Sequence, residues 1–140
     1  MTDKTTKIVS LLPGDTASFS KTVTEADIVL FAGLTGDMNP VHIDEVAARK
    51  SVFKGRVAHG MLSASLISTV LGTKLPGPGT IYLSQSLNFR RPVRVGDTIT
   101  ASVTVTAVDE ELPTCTLNTT VVNQDGKVIV EGEARVQVPV

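Results

Sequence analysis

The segment from Gly60 to Val70 carries no charged side chain, and this absence constrains the fold more than any other feature of the sequence. A helix over these residues has no charged face to present to water, and such helices are normally buried. Gly72 weakens the end of the helix, and the alternating prolines and glycines of Pro76–Gly79 break the chain before the next element. The sequence therefore predicts one buried central helix.

Four strand-like segments follow this helix. The odd positions from Ile99 to Ala107 are apolar and the positions between them are Thr or Ser, which is the alternation typical of a half-buried strand. Val128–Val138 repeats the pattern after a turn signal at Asp125-Gly126. The other two segments are Ile81–Arg91 and Leu112–Val122. Long alternating strands with short connections predict an antiparallel sheet that covers the helix with one face, so the predicted class is α+β.

Shorter elements precede the central helix. Ser18–Val23 has the character of a strand. Thr24 and Asp27 form the pattern of a capping box, which predicts a helix that ends near Gly36. Asp44 is placed to cap a second short helix. We therefore expect an irregular loop between these two helices.

This predicted loop holds the densest group of functional side chains, in the sequence TGDMNPVHID of residues 35–44. Pro40 fixes its own φ and biases Asn39 towards an extended conformation, so the loop can hold the Asp37 carboxylate and the His42 imidazole facing one space. Histidine titrates near neutral pH, and a carboxylate beside it can exchange proton roles through one water molecule. The pattern indicates an acid/base pair.

A plainer interpretation fits the same loop. Asp37 and Asn39 are then ordinary turn formers, Pro40 is a stop signal, and His42 is a surface residue. Composition alone favours this second interpretation.

The start of the central helix, at His59-Gly60, is a second candidate feature. Backbone amides at a helix start lack intrahelical partners and carry positive partial charge, so they can stabilise an oxyanion or bind an acyl carbonyl. Gly60 would let a substrate approach the backbone closely. The alternative is that Gly60 only packs tightly against the sheet while His59 satisfies a local hydrogen bond.

Charge and residue counts argue against several classes of function. A net charge of −1 does not supply the clustered cationic surface that nucleic acid requires. Two histidines and one cysteine make a poor zinc set, and the sequence has neither a Walker pattern nor a dinucleotide glycine triplet. We therefore expect no metal and no cofactor. Arg90, Arg91 and Arg94 flank a strand end and can bind the phosphates of a carrier, although such residues are more often a solvated rim.

Length and hydropathy indicate one domain, over residues 1–140. No stretch approaches the roughly 18 apolar residues of a membrane span, and the single Cys115 agrees with a reducing compartment. We therefore expect a cytoplasmic protein without membrane contact. Hydrophobic residues make up 41% of the chain and charged residues 19%, which hints at a buried oligomer interface.

Three runs of the sequence resemble the MaoC-like hydratases, over about Asp27 to Val105. The runs are FAGLTGDMNPVHID, HGMLSASLIS and IYLSQSLNFRRPVRVGDTITASVTV. The resemblance is strongest to the short, single-domain (R)-specific enoyl-CoA hydratases. It implies a hot-dog fold, in which a curved antiparallel sheet wraps one long helix, and this agrees with the order of elements predicted above.

The resemblance also assigns roles to residues. The family's catalytic Asp and His fall on Asp37 and His42, and the Asn of the same motif, which orients the loop, falls on Asn39. The glycine whose amide binds the thioester oxygen falls on Gly60. A serine that helps to order the site falls on Ser68.

The implied reaction is the reversible syn addition of water to a trans-2-enoyl-CoA thioester, without cofactor, by a homodimer. Three alternatives remain open at this stage: a hot-dog acyl-CoA thioesterase, a 3-hydroxyacyl-ACP dehydratase that acts on acyl carrier protein, and a non-catalytic acyl-binding subunit. Residues such as Leu66, Ile67 and Leu83 are expected to set the preferred acyl chain length.

Overall fold

The structure is a computed structural model and describes residues 10–139. In chain order its elements are β1 (Thr16–Thr22), α1 (Glu25–Thr35), α2 (Pro40–Ile43), α3 (Glu45–Arg49), α4 (Gly60–Thr73), β2 (Ile81–Gln85), β3 (Asn88–Phe89), β4 (Thr98–Val108), β5 (Thr114–Val122) and β6 (Val128–Gln137). None of these helices combines the length and the hydrophobicity that crossing a membrane requires.

The strands form one antiparallel sheet around α4. The order is β1-β4-β5-β6-β2, and the short β3 also pairs with β6. Helix α4 packs against β4, β5, β1 and β6. This is the α+β, hot-dog arrangement that the sequence analysis predicts.

The alternation of β4 explains how the core forms. Ile99, Ala101 and Val103 are fully buried, while the threonines and serine between them are partly exposed on the other face. On the helix side, Ile67 and Val70 are fully buried against them. Apolar area removed from water at these positions is the main force that holds the helix against the sheet.

Several predicted boundaries hold because the local signals are strong. Thr24 Oγ1 accepts the amide of Asp27 at 3.2 Å, and Asp27 Oδ2 accepts the amide of Thr24 at 2.9 Å, so the capping box of α1 is confirmed. Gly36 ends α1 in the left-handed region, with φ 81°. Asp44 caps α3 through the amide of Ala47 at 3.2 Å, and its own amide donates to the carbonyl of Pro40, so one residue ends α2 and begins α3.

The single strand predicted over 81–91 is wrong, because the structure divides it into β2 and β3. The pairing of β2 with β6 shifts register between Tyr82 and Ser84. After β2, the carbonyl of Ser86 lies very close to Gly132 of β6. A Cβ added to Gly132 would be 1.8 Å from that carbonyl oxygen. The chain therefore crosses closely over Gly132 and leaves the ladder before β3 begins.

The remaining differences are small. β1 begins at Thr16 rather than Ser18, because Thr16 pairs with Thr104 of β4. β5 begins at Thr114 rather than Leu112, and α4 continues past Gly72 to Thr73. The turn predicted at Asp125-Gly126 is confirmed, with Gly126 at φ 74°.

Candidate active site

Asp37 lies in a tight turn directly after α1. Its amide donates to Thr35 Oγ1 at 3.1 Å, and its Oδ1 accepts the amide of Asn39 at 3.2 Å. Asn39 Oδ1 accepts the amide of Val41 at 3.3 Å and so caps α2, whose first residue is Pro40. Asp37 and Asn39 therefore do form turns, as the plainer interpretation of the sequence proposes. The turn leaves Asp37 exposed at the surface.

His42 lies on α2, so its predicted place in an irregular loop is wrong. The Asn39 cap and Pro40 start a helical turn that a sequence pattern of this length does not reveal. The His42 side chain is buried, and its Nδ1 lies 2.8 Å from the carbonyl oxygen of Val57. A carbonyl only accepts, so Nδ1 donates, and in the neutral ring Nε2 keeps a free lone pair. His42 is therefore not an ordinary surface residue.

His59 contacts both of these residues, although no motif in the sequence predicts a place for its side chain in the site. It is 2% exposed, and its Nε2 donates to the backbone carbonyl of Asp37 at 3.0 Å. Its ring stacks on the ring of His42, with centroids 3.8 Å apart and planes inclined by 26°. The signal available in the sequence was a histidine at the start of a charge-free helix. The residues that it contacts are distant in the chain.

The three side chains form one cluster. A carboxylate oxygen of Asp37 and one ring nitrogen each of His42 and His59 lie within 4.8 Å of one another. A water molecule that hydrogen-bonds two groups at about 2.8 Å each, with a tetrahedral angle, spans about 4.6 Å. The separation therefore suits a pair of groups that share one water.

The same cluster is a set of potential metal ligands that spacing along the chain does not suggest. The lone pair of an imidazole nitrogen lies in the plane of its ring. Because the rings of His42 and His59 are stacked, their lone pairs lie in two planes that are inclined by only 26° and do not converge on one point between the rings. This is a poor geometry for a tetrahedral ion.

Gly60 begins α4 beside a cavity of about 400 Å³. Its backbone and the side chains of His42, Ser63 and Phe89 are part of the wall. A Cβ at Gly60 would lie 2.9 Å from the ring of Phe89, so any side chain would have to displace that ring. Gly60 is therefore packed closely against the sheet and at the same time borders a cavity at the helix start. The two interpretations of this glycine from the sequence do not exclude each other.

Ser68 lies away from this cavity, about two turns further along α4. It lines a second cavity of about 410 Å³ between α4 and β2, together with Met61, Tyr82 and Leu83. Burial of the Tyr82 hydroxyl raises its pKa above the ordinary value of 10.0. Within one chain, the structure therefore does not bring Ser68 to His42 and Gly60.

The three candidate arginines also separate. Arg90 and Arg91 line the cavity of His42, where Arg90 pairs with Glu131 at 2.6 Å and Arg91 donates to the carbonyl of Val128 at 2.9 Å. Arg94 lies elsewhere and donates to the backbone carbonyl of Phe53.

Comparisons with known proteins agree with this geometry. The MaoC like domain family matches residues 11–129. The (R)-specific enoyl-CoA hydratase of Rhodospirillum rubrum is 58% identical over 90% of this chain and 87% of its own. The (R)-specific enoyl-CoA hydratase of Aeromonas caviae is 48% identical over 93% of this chain and 97% of its own. The solved structure of the (R)-hydratase from A. caviae involved in PHA biosynthesis superposes with a TM-score of 0.90 and covers 93% of this chain and 98% of that one. The chain belongs to the MaoC-like domain family.

Proposed function

We propose that this chain is an (R)-specific enoyl-CoA hydratase, a hydro-lyase that reversibly adds water to a trans-2-enoyl-CoA. The observation that carries the proposal is that a carboxylate oxygen of Asp37 and a ring nitrogen of His42 lie within 4.8 Å of each other, a separation that one water can bridge. Two relatives that the chain matches over nearly its full length are named for this activity. No cofactor is needed for this reaction.

In the proposed mechanism the Gly60 amide donates a hydrogen bond to the thioester oxygen, which makes Cβ electrophilic and stabilises the enolate that forms. Asp37 and His42 hold the water between them. One of the pair takes a proton from the water as the water oxygen bonds to Cβ. The other member, or the same water system, delivers a proton to Cα on the same face, so that one water is added in all. His42 can exchange a proton at Nε2, because the carbonyl of Val57 occupies Nδ1. The two groups act as one coupled pair.

The cavity beside Gly60 suits the reacting end of a thioester. We propose that Arg90 and Arg91, at its rim, contact the phosphates of coenzyme A. Arg94, the third candidate, has its guanidinium directed to the carbonyls of Phe53 and Arg56 and is assigned no contact with the carrier. Asn39 orients the turn, as its cap on α2 supports.

We propose that the protein is a homodimer joined through the edge strand β2. Ile81, Tyr82 and Leu83 of this strand are exposed, with 51%, 40% and 49% of their surfaces accessible. The opposite edge, β1, exposes only Thr and Ser at its outward positions. An apolar sheet edge favours pairing with another chain, and the Ser68 cavity, which adjoins β2, would then face the partner subunit. Ser68 would then help to order the active site across the interface between the two subunits.

Two further features complete the proposal. The single sheet around α4 supports one domain over the described residues 10–139. The enzyme works in the cytoplasm, where coenzyme A thioesters are available and the single Cys115 stays reduced.

The test is the hydration of crotonyl-CoA, followed as loss of the enoyl absorbance and coupled in parallel to an (R)-specific or an (S)-specific 3-hydroxyacyl dehydrogenase. We expect activity, and product only in the (R)-coupled assay. Release of free CoA, detected with a thiol reagent, would instead indicate a thioesterase, and turnover only with acyl carrier protein would indicate the other dehydratase class. Binding without turnover would indicate an acyl-binding subunit. Each of these three results would overturn the proposal.

A further inference from the structure

His59 occupies the centre of the candidate site without lining the cavity in which the substrate would bind. Its ring contacts the ring of His42, with centroids 3.8 Å apart, and the ring of Phe31, with centroids 4.9 Å apart. It is the residue directly before α4, but its side chain does not cap that helix. The buried ring thus contacts two other rings and directs its Nε2 towards the turn of Asp37.

The surroundings of the two ring nitrogens of His59 indicate which of them carries the hydrogen. Nε2 meets the carbonyl of Asp37, which only accepts, so Nε2 carries the hydrogen. Nδ1 is buried and has no hydrogen-bond partner within residues 10–139. A proton on Nδ1 would therefore be a buried donor without an acceptor, which is costly. The structure fits a neutral ring with its hydrogen on Nε2.

A neutral ring at this position matters for His42. The two rings are in stacking contact, and a positive charge on His59 would oppose the charge that His42 acquires whenever it takes up a proton. With His59 neutral, the ring of His42 meets a flat, uncharged surface. Its stacking contact and the Val57 bond together hold the direction of Nε2.

His59 also places the other member of the pair. The bonds of Asp37 to Thr35 and Asn39 join neighbours in the chain, between the end of α1 and the N-cap of α2, so they shape the turn without tying it to α4. The bond from His59 ties the same turn to the start of α4. One side chain therefore contacts both members of the acid/base pair.

We propose that His59 is a positioning residue, which sets the separation of Asp37 and His42 through one hydrogen bond and one stacking contact. This inference rests on the proposed hydratase function. It predicts that loss of the hydrogen bond alone lowers turnover even when the ring volume remains.

Three variants separate the hydrogen bond from the packing. In His59→Gln the amide nitrogen reaches approximately the position of Nε2, whereas in His59→Asn it reaches only the position of Nδ1. His59→Phe keeps a ring and removes the donor. We expect His59→Asn and His59→Phe to lower kcat for crotonyl-CoA by about 100-fold with KM nearly unchanged, and His59→Gln to recover at least about 10-fold of that loss. Wild-type kcat in His59→Asn, or equal losses in Gln and Asn variants of the same melting temperature, would overturn the proposal.

A second measurement does not depend on activity. The chain has two histidines, so long-range ¹H–¹⁵N spectra of histidine-labelled wild-type protein contain two ring patterns, which His59→Asn assigns. We expect an Nδ1–H tautomer for His42 and an Nε2–H tautomer for His59. An Nδ1–H tautomer at His59 would leave Nε2 without a hydrogen to donate to Asp37 and would overturn the positioning role. The expected tautomers in a wild-type protein that does not hydrate crotonyl-CoA would refute only the proposed function.

Discussion

The Nδ1–H of His42 donates to the carbonyl oxygen of Val57 over 2.8 Å, and both residues are buried. Nδ1 of His42 therefore holds the ring in place, whereas Nε2 remains free to exchange a proton. His42→Asn keeps a donor near the position of Nδ1 but has no base, so we expect kcat to fall by about 10²–10⁴-fold with stability nearly unchanged. His42→Ala leaves the Val57 carbonyl without its partner, and we expect a further loss of about 1–3 kcal/mol in the free energy of unfolding. Equal stability of the two variants in urea unfolding would contradict this prediction.

Asp37 and His42 should behave as one unit in kinetics. Asp37→Asn and His42→Gln each remove one of the two groups that hold the reacting water, so we expect each to lower kcat for crotonyl-CoA by at least about 100-fold. The double variant should be little worse than either single variant, because the remaining group has no partner to act with. Multiplicative losses in steady-state assays would show that the two residues act independently.

Gly60→Ala tests the contact between the helix start and Phe89. The added Cβ would lie 2.9 Å from the Phe89 ring, which would have to swing aside at the cavity wall. We therefore expect a loss of activity of about 10-fold or more that Phe89→Leu partly restores. Gly72→Ala in the same helix meets nothing within 4 Å and should instead stabilise the protein by about 0.5–1 kcal/mol. Full activity of Gly60→Ala would show that a side chain at the helix start does not disturb the site, which would contradict this prediction.

Leu83→Glu tests the proposed dimer. The residue is 49% exposed on the apolar edge strand β2, so a buried carboxylate there would oppose association. We expect the mass measured by light scattering to fall to that of one chain, and activity to fall with it. Ser18→Glu on the polar edge strand β1 is the matched control and should leave the mass unchanged. A wild-type protein that is monomeric at all concentrations would refute the dimer.

Asp27 makes stability depend on acid pH. Partial burial raises the pKa of its carboxyl, but bonds from Thr24 and the ammonium of Lys21 at 3.1 Å outweigh this effect and lower the pKa below 3.8. A lowered pKa in the folded state stabilises the protein above the unfolded value, and this contribution is lost as the pH falls through the folded value. We expect Asp27→Asn to cost about 1 kcal/mol at pH 7, with the difference shrinking below about pH 3.8. A constant difference in urea unfolding from pH 7 to pH 2.5 would contradict the assignment.

The parts of the fold that sequence analysis predicts are those with local causes. The capping box of Thr24 and Asp27, the cap at Asp44 and the alternation of β4 depend on residues a few positions apart, and all three are present. The break between β2 and β3 depends on Gly132, which lies far along the chain on β6. No pattern within 81–91 contains that information.

The residues of the candidate site also fall into two groups: those that a local motif predicts and those that only the folded structure brings together. The motif around Asp37 and His42 is a local signal, and the structure places both residues in one cluster. The role of His59 comes from contacts with Asp37 and His42, which are distant from it in sequence and reach it only in the folded chain. The position of Ser68 on a separate cavity follows from the length of α4 and the course of β2.

Asp44 ends α2 with its backbone and begins α3 with its side chain, while Asn39 begins α2. Both ends of α2, the helical turn that carries His42, are therefore fixed by residues with a second role. Asn39 also bonds to Asp37, and Asp44 also caps α3. Insertion or deletion of one residue between Asn39 and Asp44 would rotate the imidazole by about 100° around the helix axis and break the hydrogen bonds of one cap. We therefore expect this stretch to tolerate exchanges of side chains but not a change in its length, because its length sets the direction of the His42 imidazole.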